Sequence, residues 1–290
     1  MYIVGTDCSG IEAPIQALRQ LQVPHHHAFS SDIDPYVIQS IKANYDPLVI
    51  YGDITNRDVS DVPDIDIYVA GFPCQPFSMA GNREGFKDKR GNVFWSCLEV
   101  IITKQPKYFI LENVKALTWH DNGRTWKIIW DSLQIDGYTV KWKVLNTKDY
   151  GVPQNRERIF IVGKRGGDFN WPEPTEMDDI KDYIDHTDTT YKKWNRKTSL
   201  ANISGDSVFI DVDFLHYTNY PMANKVSPCV LARPSSLWCV PYHRYATCRE
   251  MFNLQGFGEF KQVVSNSQMK KQIGNSMSVN VLTAIFNELL

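Results

Sequence analysis

The sequence has no long apolar run. Nothing in it approaches the roughly 20 consecutive apolar residues that a membrane-spanning helix needs, so no membrane partner is expected. The opening stretch "MYIVGTDCSG" has no basic segment followed by an apolar one, and so lacks the form of a secretory signal. A strong charge of either sign is missing too. The formal net charge of −2 gives no global sign of nucleic-acid binding and counts mildly against it. The six cysteines (Cys8, Cys74, Cys97, Cys229, Cys239 and Cys248) include no C-x-x-C pair, which argues against a zinc site. A chain of this size without a secretion signal does not depend on disulfides, and free thiols in a cytosolic or nuclear protein are expected. The adjacent histidines His25, His26 and His27 cannot all face one ion from a strand, because successive side chains alternate. Finally, no G-x-G-x-x-G follows the first apolar stretch, which removes the dinucleotide fingerprint.

What is present is an alternating rhythm. "YIVGTD", "HHAFSSDID", "LVIYGDI", "DIDIYVAGFP" and "KYFILENV" read as strands. Between them, "GIEAPIQALRQLQ" carries Ile11, Ile15, Leu18 and Leu21 at helical spacing, and "PYVIQSIKANY" places Pro35 where a helix tolerates proline. "RTWKIIWDSLQIDGY" is a further helix, followed by strands "TVKWKVLNT" and "RERIFIVGKR". The alternation predicts an α/β fold: a mixed, mostly parallel sheet with helices on both faces. After about Lys164 the rhythm stops. The expected organisation is a catalytic domain over 1–165, a smaller, partly β domain over 166–243, and a C-terminal segment, 244–290, whose last helix returns to the first domain.

The chemistry-bearing residues gather at the predicted strand ends, where open α/β sheets bind ligands. Asp7, Asp32, Asp53, Cys74 and Glu112 all fall there. An acid at the end of the second strand can accept from both hydroxyls of a ribose, although any one of these acids also suits a helix N-cap. Together they suggest a nucleoside-containing cofactor without a pyrophosphate; S-adenosylmethionine fits. Cys74, in "GFPCQPFS", sits between Pro73 and Pro76, an odd place for a core thiol. The residues alone leave a packed thiol and a nucleophile open, since only a thiolate attacks. Glu112 ends a very apolar strand, where desolvation favours its neutral form. Arg156 and Arg158 are two apart and so share a face.

The ordered set "TDCSGIEA", "SDID", "GDIT", "GFPCQPFS", "GFKDKRGNVFW", "LENV", "YGVPQNRERIF", "RYATCREMFNLQGF" and "QIGNSMSVNV" resembles the cytosine-5 methyltransferases of DNA. The resemblance implies an S-adenosylmethionine-dependent, Rossmann-like methyltransferase fold with a target-recognition domain. It implies that Cys74 adds to C6 of cytosine, that Glu112 holds the N3 and N4 edge, and that Arg158, supported by Arg156, contacts the base near O2. It assigns cofactor contacts to Cys8, Ser9, Gly10, Ile11, Asp32, Ile33, Asp53, Ile54, Phe72, Pro73, Val93, Asn275 and Ser276.

Duplex DNA is the implied partner, with the target base flipped out of the stack. Ser78, Gly81, Arg83, Lys89 and Arg90 lie in a stretch that reads as a loop closing over the strand. Lys192, Lys193 and Arg196, in "YKKWNRK", and Arg233 are expected to touch DNA from the second domain. The expected protein is a cytoplasmic monomer of a bacterium or phage-infected host (nuclear if eukaryotic), with a separately acting restriction endonuclease as a companion. The RNA branch of the family is the main alternative, but its Cys-Phe-Thr tripeptide is absent; a non-catalytic relative is the other.

Two stretches depart from the family pattern, and in the first Cys8 replaces a usual Phe. Thr6 stands where an Asp is usual, and Glu12-Ala13 replace Gly-Gly, so that either Asp7 or Glu12 is left to meet the methionine amino group. Cys229-Val230 stand near the point where Thr and an aliphatic residue are usual.

Overall fold

The central strands read as nearly continuous apolar runs because both their faces are covered. In β4 (Ile67–Ala70) and β5 (Tyr108–Val114) the alternation of side chains sends successive residues to opposite cores. Ile67, Val69, Tyr108 and Ile110 enter one core, and Tyr68, Ala70, Phe109 and Leu111 the other. The structure is a computed structural model that describes residues 1–73, 93–189, 207–213, 225–233 and 235–290.

With β1 (Tyr2–Asp7), β2 (His25–Ser31), β3 (Val49–Tyr51), β6 (Tyr138–Asn146) and β7 (Glu157–Arg165), these strands form one seven-stranded sheet in the order β3-β2-β1-β4-β5-β7-β6. The pairs from β3 through β5 are parallel, while β7 runs antiparallel to both β5 and β6. The mixed, mostly parallel sheet expected from the sequence is therefore present. Helices α1 (Ala13–Gln20), α2 (Pro35–Asn44) and α7 (Val279–Leu289) supply one core; α3 (Val93–Lys104) and α4 (Arg124–Ser132) supply the other. The last helix packs on α1. Ile11, assigned by spacing to the first helix, lies in the turn before it.

Two further helices, α5 (Cys248–Leu254) and α6 (Asn266–Asn275), complete the C-terminal part. Beyond β7 the regular elements are short. Strands β8 (Phe209–Asp211), β9 (Leu237–Cys239) and β10 (Arg244–Tyr245) form a separate antiparallel sheet in the order β10-β9-β8. One buried ion pair ties the two ends of this region together. The Arg244 guanidinium donates to both oxygens of Glu250 at 2.8 and 2.9 Å. It also donates to the carbonyls of Asp185 and Asp188.

The sheet has its switch point beside β1. From β1 the chain steps outward to β2 and β3 on one side, then returns to β4 on the other. The carboxyl ends of β1 and β4 therefore border a crevice, the place where such sheets bind ligands.

Candidate active site

The crevice is lined by Thr6, Asp7, Cys8, Ser9 and Gly10 from the end of β1, Gly71 after β4, Glu112 on β5, and Asn275, Ser276 and Met277 after α6. Five of the residues expected at the cofactor thus meet Glu112 in one cleft. A larger hollow of about 330 Å³ opens beside Asp188, Arg249 and Lys270. It holds none of the expected residues, so size alone does not locate the site.

The first turn is an unusual piece of backbone. Cys8, Gly10 and Glu12 all take left-handed conformations, with φ of 51°, 53° and 59°. Each non-glycine residue in that region costs roughly 1–2 kcal/mol, so other contacts must hold the turn. Ser9 N donates to Ser31 O at 2.9 Å, and Ser31 N donates to Ser9 Oγ at 2.8 Å. Gly10 N donates to Asp32 Oδ2 at 3.0 Å, and Asp34 N donates to Asp32 Oδ1 at 2.9 Å. Asp32 thus joins the end of β2 to the turn after β1. Burial raises its pKa, and the two backbone donors oppose that rise. Ile33 beside it is 76% exposed, a bare apolar surface next to a carboxylate. That pairing suits a nucleoside, ribose on the acid and a flat base on the aliphatic chain.

Asp53 and Ile54 follow β3. Asp53 is exposed and caps the short helix Ile54–Asn56, accepting from Thr55 N and Thr55 Oγ1 at 2.9 and 2.7 Å. The N-cap role is the one observed; Ile54 is buried below it. Of the two candidates for the methionine amino group, Asp7 has both oxygens engaged, whereas Glu12 Oε2 is buried without a hydrogen-bond partner. Asp7 accepts both nitrogens of the Arg57 fork, at 2.9 and 2.7 Å, and the Tyr68 hydroxyl at 2.7 Å. Glu12 is fully buried, and its Oε1 accepts from Thr6 Oγ1 at 2.7 Å and Ser30 Oγ at 2.6 Å.

The second half of the site lies on β5 and β7. Val114 stands opposite Arg158, and Glu112 opposite Phe160, so Arg158 reaches Glu112 diagonally on one face. Arg158 Nε is 3.3 Å from Glu112 Oε1. Burial raises the Glu112 pKa, Arg158 and then Arg156 pulling it partly back. Arg156, two residues away, is buried and does not touch Glu112. It donates to the carbonyls of Val230, Gly274 and Ser276 at 2.9, 3.2 and 2.6 Å, tying the backbone at Val230 to the segment after α6 that lines the cleft. Burial lowers its pKa, and neighbouring Arg158 acts in the same direction.

Phe72 is buried against Phe94, with ring centroids 5.4 Å apart, and its carbonyl accepts from Asn113 Nδ2 at 2.8 Å. Pro73 is exposed, and Val93 opens α3. Cys74 lies outside the described residues, as do Ser78, Gly81, Arg83, Lys89, Arg90, Lys192, Lys193 and Arg196. Arg233 is exposed, its guanidinium 3.5 Å from Asp213. Four other thiols are pushed up by burial: Cys8 far above the usual range, Cys97 and Cys239 to about 12, and Cys248 less.

Sequence reasoning missed Arg57, Asn113 and Gln154. Arg57 also donates to Ser31 Oγ at 2.9 Å, and its guanidinium lies over the Phe29 and Tyr51 rings. Gln154 accepts from Val230 N at 2.8 Å and donates to Leu254 O. Asn113 and Gln154 stand inside quoted motifs; nothing local marks Arg57.

A switch-point crevice bearing an acid just after β2 and an acid–arginine pair on β5 and β7 defines an α/β methyltransferase fold. The chain belongs to the family of C-5 cytosine-specific DNA methylases, which it matches over residues 8–290, and it is an enzyme of DNA cytosine-5 methylation. It is 38% identical to the type II methyltransferase M.NlaX of Neisseria lactamica over 278 residues, covering 90% of this chain and 87% of that protein. It is 40% identical to M.NgoBI of Neisseria gonorrhoeae over 284 residues, covering 89% and 84%. Among solved structures, the Dnmt2 methyltransferase of S. pombe superposes with a TM-score of 0.70 at 20% identity, covering 99% of this chain and 97% of that one. The methyltransferase EhMeth of Entamoeba histolytica gives 0.68 at 17%, covering 99% and 97%. No helix among the described residues is long and apolar enough to cross a membrane.

Proposed function

We propose that the protein methylates C5 of a flipped-out cytosine in duplex DNA, using S-adenosylmethionine and a covalent adduct between Cys74 and C6. The observation that carries this reading is the Glu112–Arg158 pair set in the crevice that also holds the Ser9–Gly10 turn. Cys74 follows Pro73 in the sequence, and Asn113, next to Glu112 on β5, holds the Phe72 carbonyl two residues before it. Asp32 would hold the ribose, Ile33 the adenine face, and the Cys8–Ile11 turn with Asn275 and Ser276 the methionine end. When bound, the cofactor supplies an electrophilic methyl group.

Cytosine N3 accepts a hydrogen bond and its N4 amine donates one. A carboxyl group matches both at once only when protonated, and the raised pKa of Glu112 favours that form. Proton donation to N3 withdraws electrons from C6, so that the Cys74 thiolate can add there and C5 becomes nucleophilic. After C5 is methylated, loss of its proton and expulsion of the thiolate restore the ring. Arg158 would hold O2, keeping C6 in line with the thiolate.

Residues 166–243 would serve as the recognition domain, with Lys192, Lys193, Arg196 and Arg233 on phosphates, and the stretch 78–92 closing over the strand. The enzyme would act as a cytoplasmic monomer, with a restriction endonuclease working separately on the same sequence. The test is Cys74→Ser with duplex DNA and with tRNA as substrates. The expected result is lost transfer to DNA with cofactor and DNA binding kept. Unchanged turnover would sink the mechanism, and wild-type activity on tRNA alone would move the substrate to RNA.

A further inference from the structure

Cys229 sits at the meeting point of the recognition side and the catalytic strands. Residues 227–230 are laced to 153–156 by backbone and side-chain hydrogen bonds. Ser227 N donates to Pro153 O, Asn155 N to Ser227 O, and Val230 N to Gln154 Oε1, each at 2.8 Å. This fixes the Cys229 sulfur between two guanidinium groups. Arg156 Nη1 is 3.3 Å from Sγ and Arg158 Nη2 is 3.8 Å from it. Arg158 in turn meets Glu112 through Nε at 3.3 Å.

We infer that Cys229 is a positioning residue: its side chain accepts from Arg158 and so sets the arginine against Glu112. The inference rests on the proposed role of that pair at the target base. The chemistry is simple. The thiol hydrogen faces Val230 O at 3.7 Å, leaving the sulfur lone pairs toward the two cations. A hydroxyl at the same place can do both tasks; a methyl group can do neither. Arg158 Nη1 is tied to Glu157 O at 2.8 Å, so the Cys229 contact governs the swing of its other terminal nitrogen. Because residues 227–230 belong to the recognition side, any shift of that side on a DNA site is passed directly to Arg158.

Two cations face Glu112 among the described residues, Arg158 and Arg156, both from the β7 side. Freeing Arg158 weakens the larger of their two pulls, so the Glu112 carboxyl should titrate at still higher pH.

The experiment compares Cys229→Ser, Cys229→Thr, Cys229→Ala and Cys229→Val. The Glu112 carboxyl is titrated by ¹³C NMR in the free enzyme, and kcat/KM on duplex DNA is measured against pH. Ser and Thr are expected to keep the wild-type titration and rate. Ala and Val are expected to titrate higher, to move the alkaline limb of kcat/KM upward, and to lose roughly tenfold to a hundredfold in rate, the scale of a small misplacement. Val fills the space that Ala leaves, so agreement between the two removes a packing defect as the cause. An unshifted Glu112 titration in folded Ala and Val variants overturns the inference. Because the titration needs no turnover, a wild-type enzyme inactive on DNA would count against the proposed function and not against this contact.

Discussion

Thr6 and Glu12 meet through a hydrogen bond of 2.7 Å in a place that water does not reach. Glu12 Oε1 also takes the Ser30 hydroxyl at 2.6 Å, and His27 Nε2 lies 3.5 Å away. The carboxylate arrives on a left-handed residue of the turn, at a spot adjacent to the end of β1. An aspartate at position 6 would place an oxygen near the present Thr6 Oγ1, hard against Glu12. The two acids are therefore alternatives. Thr6→Asp alone is expected to destabilise by about 2–4 kcal/mol, the scale for an uncompensated buried charge. Adding Glu12→Gly removes the clash and suits the backbone, so the double variant should be more stable than Thr6→Asp. Urea unfolding of the four proteins gives the coupling energy, and strict additivity would refute the pairing.

Glu112→Gln should stop methyl transfer yet stabilise the fold. A carboxyl whose folded pKa lies above its unfolded value stabilises the protein fully below the unfolded pKa. That contribution is lost as pH rises through the folded pKa, and Glu112 is such a group. A glutamine carries no titration. The variant's gain in Tm over wild type should therefore be small near pH 4 and larger near pH 8. A gain that shrinks as pH rises would contradict the raised pKa.

The Arg244–Glu250 pair offers a test of how the second region is anchored. Both side chains are almost wholly buried, at 2% and 0% exposure. Glu250 also accepts from Asp185 N at 3.0 Å and caps α5 with Thr247. Cutting one partner leaves a buried charge alone, at a cost of roughly 3–5 kcal/mol. Arg244→Met and Glu250→Gln are each expected to lower stability on that scale, while the cofactor dissociation constant stays near wild type, because neither residue lines the crevice. Calorimetry and cofactor titration check the two halves.

The parts legible in the sequence were those governed by short-range rules. Alternating apolar strands and acids at their ends located the crevice, and Asp32 did meet Gly10 there. The spacing of Arg156 and Arg158 put both on one face, but did not show that both would meet Cys229 or which would reach Glu112. Illegible parts depended on distant partners. Arg57 finds Asp7 only because β1, β2 and the strand-three exit lie side by side. The left-handed φ of Glu12 hides its carboxylate from any reading of the turn as ligand-binding. Helix α3, "VFWSCLEVIITK", has five buried apolar residues and little polar face, so its period is blurred. The second half resisted because its strands are two or three residues long and no period can develop over that length.

Gly274, in α6, lies hard against the backbone of Leu231 and Ala232. A Cβ there would stand 2.2 Å from the Leu231 carbonyl carbon and oxygen and 2.3 Å from Ala232 N. These are backbone atoms, so no side chain can swing away to relieve the overlap. The Gly274 carbonyl also accepts from Arg156, which holds Val230 and Ser276 as well. Forcing α6 away from Leu231 would therefore loosen Arg156 and, through Cys229, Arg158. Gly274→Ala is expected to lose about 1–3 kcal/mol by overpacking and to lose more in kcat/KM for DNA than in cofactor affinity. Paired urea unfolding and steady-state kinetics would show it. Wild-type stability and rate in that variant would mean that the 231–232 backbone can retreat, and that Arg156 does not transmit its position.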